Sequence, residues 1–171
     1  MTVLTNPTYT PIATYTATGN ISDYTFSSIP STYTDLVVVS NGYGDTQSGF
    51  GIYFNGDTTS NNYSFTRIEY FSSGPYSSNN SSAAGQTGAA DSGASGGDPG
   101  TVQINIMNYA NTTTYKYSIT RSTSEIISQY LQLGVALWSS TSAINSIKVF
   151  PTGGGNFLTG FTVTLYGIKA A

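Results

Sequence analysis

Residues 102–106 are Val-Gln-Ile-Asn-Ile, and this strict alternation of apolar and polar side chains decides the fold. A period of two places successive side chains on opposite faces of a β-strand, so that one face is buried and the other is wet. Similar alternation recurs at 115–119, 131–137 and 161–165. The sequence therefore predicts an all-β protein.

About ten strands are predicted, separated by turn residues at regular intervals. Their approximate spans are 11–17, 20–27, 34–40, 49–55, 62–71, 101–109, 114–122, 130–138, 144–150 and 160–168. Short strands at this spacing favour an antiparallel sandwich or a barrel over a parallel sheet. We expect one domain over 1–171, an antiparallel β-sandwich of about eight to ten strands.

Several stretches predict local detail. Residues 36–39, Leu-Val-Val-Val, are apolar on both faces and predict a central strand. Asn55-Gly56 is a strong hairpin signal. Trp138 ends an apolar strand and is expected in the core. We also expect the apolar rows of 115–119 and 131–137 to be the buried sides of their strands, although the spacing within 125–133 leaves a short helix open.

Residues 72–100 interrupt the alternation. This stretch holds seven Gly and eight Ser, no branched aliphatic residue, and Tyr76 as its one aromatic residue. Such a composition cannot offset the entropy of ordering by burying its own core. The sequence predicts a long Gly/Ser-rich loop at 72–100 and an N-terminal arm at 1–10. Each is either a surface segment or an arm that orders against a neighbouring subunit.

The composition excludes several classes of function. The chain has no His and no Cys, which removes the usual general base, thiol nucleophile and soft metal ligands. Five basic and eight acidic residues give a net charge of −3, and no basic stripe suits nucleic acid. No apolar run is long enough to span a membrane. Residues 1–7 lack the pattern of a signal peptide, so we expect the chain to fold where it is made.

No motif predicts a catalytic residue, a metal site or a cofactor. Residues 93–97, Gly-Ala-Ser-Gly-Gly, match the nucleophile-elbow pattern, but no helix is predicted after them and no His base exists. Most acidic residues stand in turn contexts, such as Asp57 and Asp98, where Asp caps the turn with its own side chain. Clustered D-x-D-x-D spacing for calcium is missing.

Four stretches carry a resemblance to a known family. They are Ile29-Pro30-Ser31-Thr32-Tyr33-Thr34-Asp35-Leu36-Val37-Val38, Phe54-Asn55-Gly56-Asp57 with Asn62-Tyr63-Ser64, Leu137-Trp138-Ser139-Ser140 with Ile144-Asn145-Ser146-Ile147, and Thr164-Leu165-Tyr166-Gly167-Ile168-Lys169. In their order and spacing the chain resembles small virion proteins of tailed phages, including cyanophages. The resemblance implies a jelly-roll or related β-sandwich with a structural role in the particle. It offers no catalytic residues.

The hypothesis that follows is a capsid decoration or cement protein, located in the virion after assembly in the host cytoplasm. It would bind the outer capsid as a homo-oligomer, expected to be a trimer, with the major capsid protein or another virion protein as partner. Nucleic acid, membrane and cofactors are not expected. The candidate interface residues are Leu4, Pro7 and Tyr9 in the arm and Tyr76 in the long loop.

Two alternatives stay open. The first is a tail-fibre or receptor-binding module that recognises host surface polysaccharide through exposed Tyr side chains, since Tyr offers contact area at low entropy cost. The second, ranked far behind, is a glycan-degrading enzyme that uses two carboxylates as acid and base or nucleophile.

Overall fold

The structure is a computed structural model, and it describes residues 8–45, 48–71, 74–82, 86–94, 99–124 and 130–169. These residues form twelve β-strands and one 3₁₀ turn at Ser60–Asn62, with no α-helix among them. The strands are β1 (Tyr9–Thr16), β2 (Tyr24–Phe26), β3 (Asp35–Gly44), β4 (Ser48–Phe54), β5 (Tyr63–Phe71), β6 (Gly74–Asn80), β7 (Gln86–Ala94), β8 (Gly100–Met107), β9 (Lys116–Ser124), β10 (Tyr130–Trp138), β11 (Ile147–Pro151) and β12 (Thr162–Ile168).

Eight of these strands form a jelly roll, in which two sheets pack face to face. The first sheet has the order β1-β12-β3-β8, and the second has the order β2-β11-β4-β7, with antiparallel pairing within each. Strands that follow one another along the chain, such as β1 and β2 or β3 and β4, lie in different sheets, which is the interleaving of a jelly roll. The predicted antiparallel sandwich is therefore confirmed.

The remaining four strands extend the first sheet beyond β8. The β5–β6 hairpin is inserted between β4 and β7, and the β9–β10 hairpin is inserted between β8 and β11. The pairings run β8-β9-β10-β5-β6, so both hairpins join one continuous sheet. We call these four strands the extension. Strand β7, from the second sheet, lies against β9, β10 and β5.

The hydrophobic core lies between the two sheets of the jelly roll. Leu36 and Ile104 of the first sheet and Ile52 and Val149 of the second are fully buried. Leu36, Val37 and Val38 are fully buried and Val39 is half-buried, and β3 lies between β12 and β8, as predicted for a central strand. Trp138 is 3% exposed, which confirms its predicted place in the core.

The predicted loop over 72–100 is wrong for most of its length. Residues 74–80 form β6 and residues 86–94 form β7. Strand β6 pairs with β5, and β7 pairs with β4. Backbone hydrogen bonds to neighbouring strands order this segment, so it needs no apolar core of its own. The arm expected over 1–10 is likewise wrong at its end, because Tyr9 and Thr10 pair with β12; residues 1–7 lie outside the described part.

Two further local predictions differ from the structure. Asn55 and Gly56 do make a tight turn, with φ of 53° and 71°, but β4 and β5 on either side of it do not pair with each other. The turn carries the chain from one sheet to the other instead of closing a hairpin. The short helix left open over 125–133 is excluded at its end, because residues from Tyr130 onward belong to β10; residues 125–129 lie outside the described part.

Candidate interaction surface

Away from Phe65, Ala136 and Trp138, which reach the hydrophobic core, the extension turns its apolar side outward and its polar side inward. On the side that faces β7, six polar side chains are at most 5% exposed: Glu69, Lys116, Ser118, Thr120, Ser122 and Gln132. On the opposite side, seven large apolar side chains are 37–63% exposed: Ile68, Tyr70, Tyr117, Ile119, Leu131, Leu133 and Val135. We call these seven residues the apolar face. The expectation that the rows at 115–119 and 131–137 are buried is therefore wrong.

The apolar face is contiguous because its members are cross-strand neighbours. Leu131 lies opposite Tyr70, and Leu133 lies opposite Ile68. Val135 connects this pair of strands to Ile119 on β9. With about 200 Å² for each large side chain and about half of it exposed, the seven residues offer on the order of 700 Å² of apolar surface. Such a patch exceeds what is common on soluble monomers, which makes it the candidate interaction surface of the described residues.

Part of the apolar face forms an open groove. The groove has a volume of about 680 Å³, and its lining includes Ile68, Leu131 and Leu133. Tyr76 from the edge strand β6 and Arg121 from β9 also line it. Arg121 lies opposite Leu133 in the β9–β10 ladder and makes no ion pair with any described residue. The groove is thus a mostly apolar surface that carries one unpaired cation within the described part of the chain.

Ion pairing and hydrogen bonding fix the inward orientation of the polar side. The Arg67 Nε lies 3.1 Å from the Glu69 Oε1 and donates a hydrogen bond of 2.7 Å to the Ser78 Oγ. The Glu69 side chain is 1% exposed. A buried carboxylate costs free energy unless it is paired, so this contact holds β5 with its polar side inward.

Lys116 plays a similar part at the start of β9. Its Nζ donates hydrogen bonds of 2.8 Å to the Thr114 carbonyl and 3.1 Å to the Thr141 carbonyl. Burial lowers the pKa of Lys116, because desolvation disfavours the charged ammonium. A shift of β9 by one residue would turn Lys116 toward water and Tyr117 inward, and it would break these two hydrogen bonds. The apolar face therefore cannot be buried by a change of register within the subunit.

The structure separates the four candidate interface residues. Tyr76 is 57% exposed and lines the groove of the apolar face. Tyr9 is 51% exposed and lies on β1, at the other edge of the extended sheet. Leu4 and Pro7 lie outside the described residues. Neither Tyr belongs to the apolar face itself, which sequence reasoning missed because alternation does not tell which side of a strand is buried.

The best-connected acidic residue has a structural role. The Asp57 carboxylate accepts hydrogen bonds of 2.8 Å from the Trp138 Nε1, 2.8 Å from the Asn62 Nδ2 and 3.0 Å from the Thr59 backbone N–H. Burial alone would raise its pKa, but these donors outweigh burial and lower the pKa of Asp57 to about 2. A carboxylate held ionised in this way positions the turn and is a poor proton donor near neutral pH.

The acidic residues of the described part of the chain do not form a metal-binding cluster. No group of three or more acidic residues among them could hold a metal ion. Gly93 and Ala94 of the elbow-like motif belong to β7, and residues 95–97 lie outside the described part. No helix in the described ranges is long and apolar enough to cross a membrane.

Comparison with known proteins adds no functional assignment. No family model matches the chain, and no curated protein matches it. A protein of unknown function from Shewanella oneidensis MR-1, solved by crystallography, is similar with a TM-score of 0.21 and 10% identity. The match covers 84% of this chain and 62% of that protein.

Proposed function

We propose that this chain is a structural subunit of a tailed-phage particle, a capsid decoration protein that binds the outer capsid as a homo-oligomer, with a trimer as the expected form. The observation that carries this proposal is the apolar face, which a free subunit would leave in water. A subunit with such a surface is suited to act in an assembly, where another protein covers it. The resemblance of the four sequence stretches to phage virion proteins supplies the kind of assembly.

The chemistry of the apolar face favours a protein partner over a polysaccharide. Five of its seven members are aliphatic, namely Ile68, Ile119, Leu131, Leu133 and Val135. Aliphatic side chains gain from meeting other apolar side chains, whereas a sugar offers hydroxyl groups that need polar partners. Recognition of host polysaccharide by a tail-fibre module therefore remains the second candidate, supported by the exposed rings of Tyr70 and Tyr76 at the groove.

The role is tested by comparing wild-type phage particles with particles of a phage whose gene for this protein has been deleted. We expect labelled antibody to mark the head in electron micrographs of wild-type particles. We expect deleted particles to release their genome at a lower temperature, and added protein to restore the wild-type value. Labelling confined to the tail, or unchanged heat resistance, would contradict decoration. Binding of the purified protein to host polysaccharide on a glycan array would favour the second candidate.

A further inference from the structure

We propose that a second copy of this chain covers the apolar face, so that the extension is the homo-oligomer interface. This inference rests on the proposed function for its role in the particle, and it names which surface joins the subunits. The argument uses the area of the surface, its position in the sheet and its charge.

The area agrees with a stable subunit contact. The apolar face offers on the order of 700 Å², and a standard interface buries about 800 Å² on each partner. Exposed residues next to the face, such as Tyr76 and Tyr115, would supply the rest. A contact with a much smaller partner, such as a short peptide, would leave a large part of the surface in water.

The apolar face belongs to the same sheet surface as a polar part of the jelly roll. On the same outer side of the first sheet, the jelly-roll strands carry polar pairs that hydrogen-bond to each other. The Thr14 and Thr164 hydroxyls are 3.0 Å apart, and the Asn41 Nδ2 donates to the Thr101 Oγ1 over 2.8 Å. This part of the jelly roll is therefore polar, and the interface centres on the two inserted hairpins, next to Met107 of β8, which is 38% exposed.

The charges near the apolar face are complementary within the chain itself. A second pocket, next to the first, is lined by both Arg121 and Asp35 together with Tyr9, Met107 and Ile119. The Asp35 Oδ1 accepts a hydrogen bond from the Asn108 backbone N–H, and Arg121 has no ion-pair partner among the described residues. A second copy would bring an acid and a base of its own to this surface, so burying Arg121 needs no foreign anion.

The test measures the mass of the isolated full chain in solution by light scattering after gel filtration. We expect the wild type to have a multiple of the 18.0 kDa chain mass. Leu131→Glu and Val135→Glu each place a charge on the apolar face, two residues along β10 from the position opposite Arg121, and each should weaken association at least tenfold. Thr25→Glu, at an exposed strand position of the second sheet, is the matched control and should leave the mass unchanged.

Two outcomes would overturn the inference. One is a wild-type protein that is monomeric over the whole dilution series, and the other is an oligomer that both Glu variants leave intact. Circular dichroism confirms that each variant is folded, which is expected because both replaced side chains are about half exposed or more. An oligomer that depends on the apolar face but is missing from purified particles would refute the proposed function and leave this inference standing. A protein that is present on purified particles but monomeric in solution would refute this inference and leave the proposed place in the particle standing.

Discussion

Asp57 shows how a single residue joins the two hairpin insertions to the jelly roll. It lies just after the Asn55–Gly56 turn, and its carboxylate binds Trp138 at the end of β10. Its carbonyl accepts a hydrogen bond of 2.8 Å from the Tyr63 hydroxyl, at the start of β5. The turn that leaves the second sheet is therefore fixed to both strands that it must meet in the extension.

Replacing this carboxylate should change how stability depends on pH. The pKa of Asp57 is about 2 in the folded chain and about 3.9 in an unfolded one, so its contribution is complete above pH 4 and disappears as the pH falls toward 2. We expect Asp57→Asn to cost about 1–2 kcal/mol near neutral pH. The free energy of unfolding of this variant should also fall less steeply than that of the wild type as the pH is lowered from 4 to 2. Urea unfolding at several pH values measures both effects.

Asp23→Asn is the control for this experiment. Asp23 forms an ion pair of 3.0 Å with Lys148, and both side chains are 37% exposed. Exposed ion pairs contribute little, so the loss should stay below about 0.5 kcal/mol. If the free energy of unfolding depends on pH in the same way for both variants, Asp57 does not hold the turn.

Gly42 is a second position where one residue decides local stability. Its φ is +144°, and a Cβ atom added there would lie 2.7 Å from the Cα of Phe161. Residues other than glycine rarely adopt this backbone conformation. The added atom would also clash with backbone, which cannot shift without disturbing the strand. We expect Gly42→Ala to lower the free energy of unfolding by at least about 2 kcal/mol. Gly19→Ala, which meets no atom within 4 Å, should lie within about 0.5 kcal/mol of the wild type in the same denaturation assay.

At the scale of elements, the strands fall into two groups with opposite polarity. The jelly-roll strand β8 buries Val102, Ile104 and Ile106, as its alternation predicts. Strand β10 alternates just as regularly, yet it exposes Leu133 and buries Gln132. Strand β10 lies against β7, whose sequence holds no large apolar residue for the middle of β10 to pack against.

Two leucine-to-alanine substitutions should separate these groups. Leu165 on β12 is fully buried, so Leu165→Ala should cost about 2–5 kcal/mol through lost burial and a cavity. Leu133 is 44% exposed, so Leu133→Ala should cost less than about 1 kcal/mol in dilute, unassociated protein. Urea denaturation at low protein concentration measures both losses. Equal losses would mean that the polarity of the extension is assigned wrongly.

The sequence predicted the strands well but not which side of each strand is buried. Period-two alternation is a local property, so it correctly located strands such as β8 and β12. Burial depends on which other strand lies across the sandwich, and that partner is distant in sequence. For the same reason β6 and β7 were missed, since their order comes from pairing with β5 and β4. Of the candidate site, Tyr76 was found at the groove, but none of the seven residues of the apolar face was.

For the whole molecule, the low content of charge predicts how assembly responds to salt. Among the residues lining the groove, Arg121 and Glu69 carry charge, and the Glu69 side chain is buried. Sodium chloride screens charge pairs but has little effect on apolar contacts, whereas sulfate strengthens apolar burial. Sedimentation should therefore show an association constant that changes less than about threefold in sodium chloride and rises in ammonium sulfate. A steep fall with sodium chloride would indicate that charge pairs dominate the interface.

The pairing of β5 with β10 has a consequence for how such a chain can diverge. Each hairpin is inserted at a different point of the jelly roll. Strand β5 nevertheless pairs both with β6 of its own hairpin and with β10 of the other one. A different hairpin at one insertion site would therefore no longer pair correctly with the hairpin at the other site, unless that second hairpin changed as well. Relatives that dock in new geometries should exchange both hairpins together, while the eight strands beneath stay as they are.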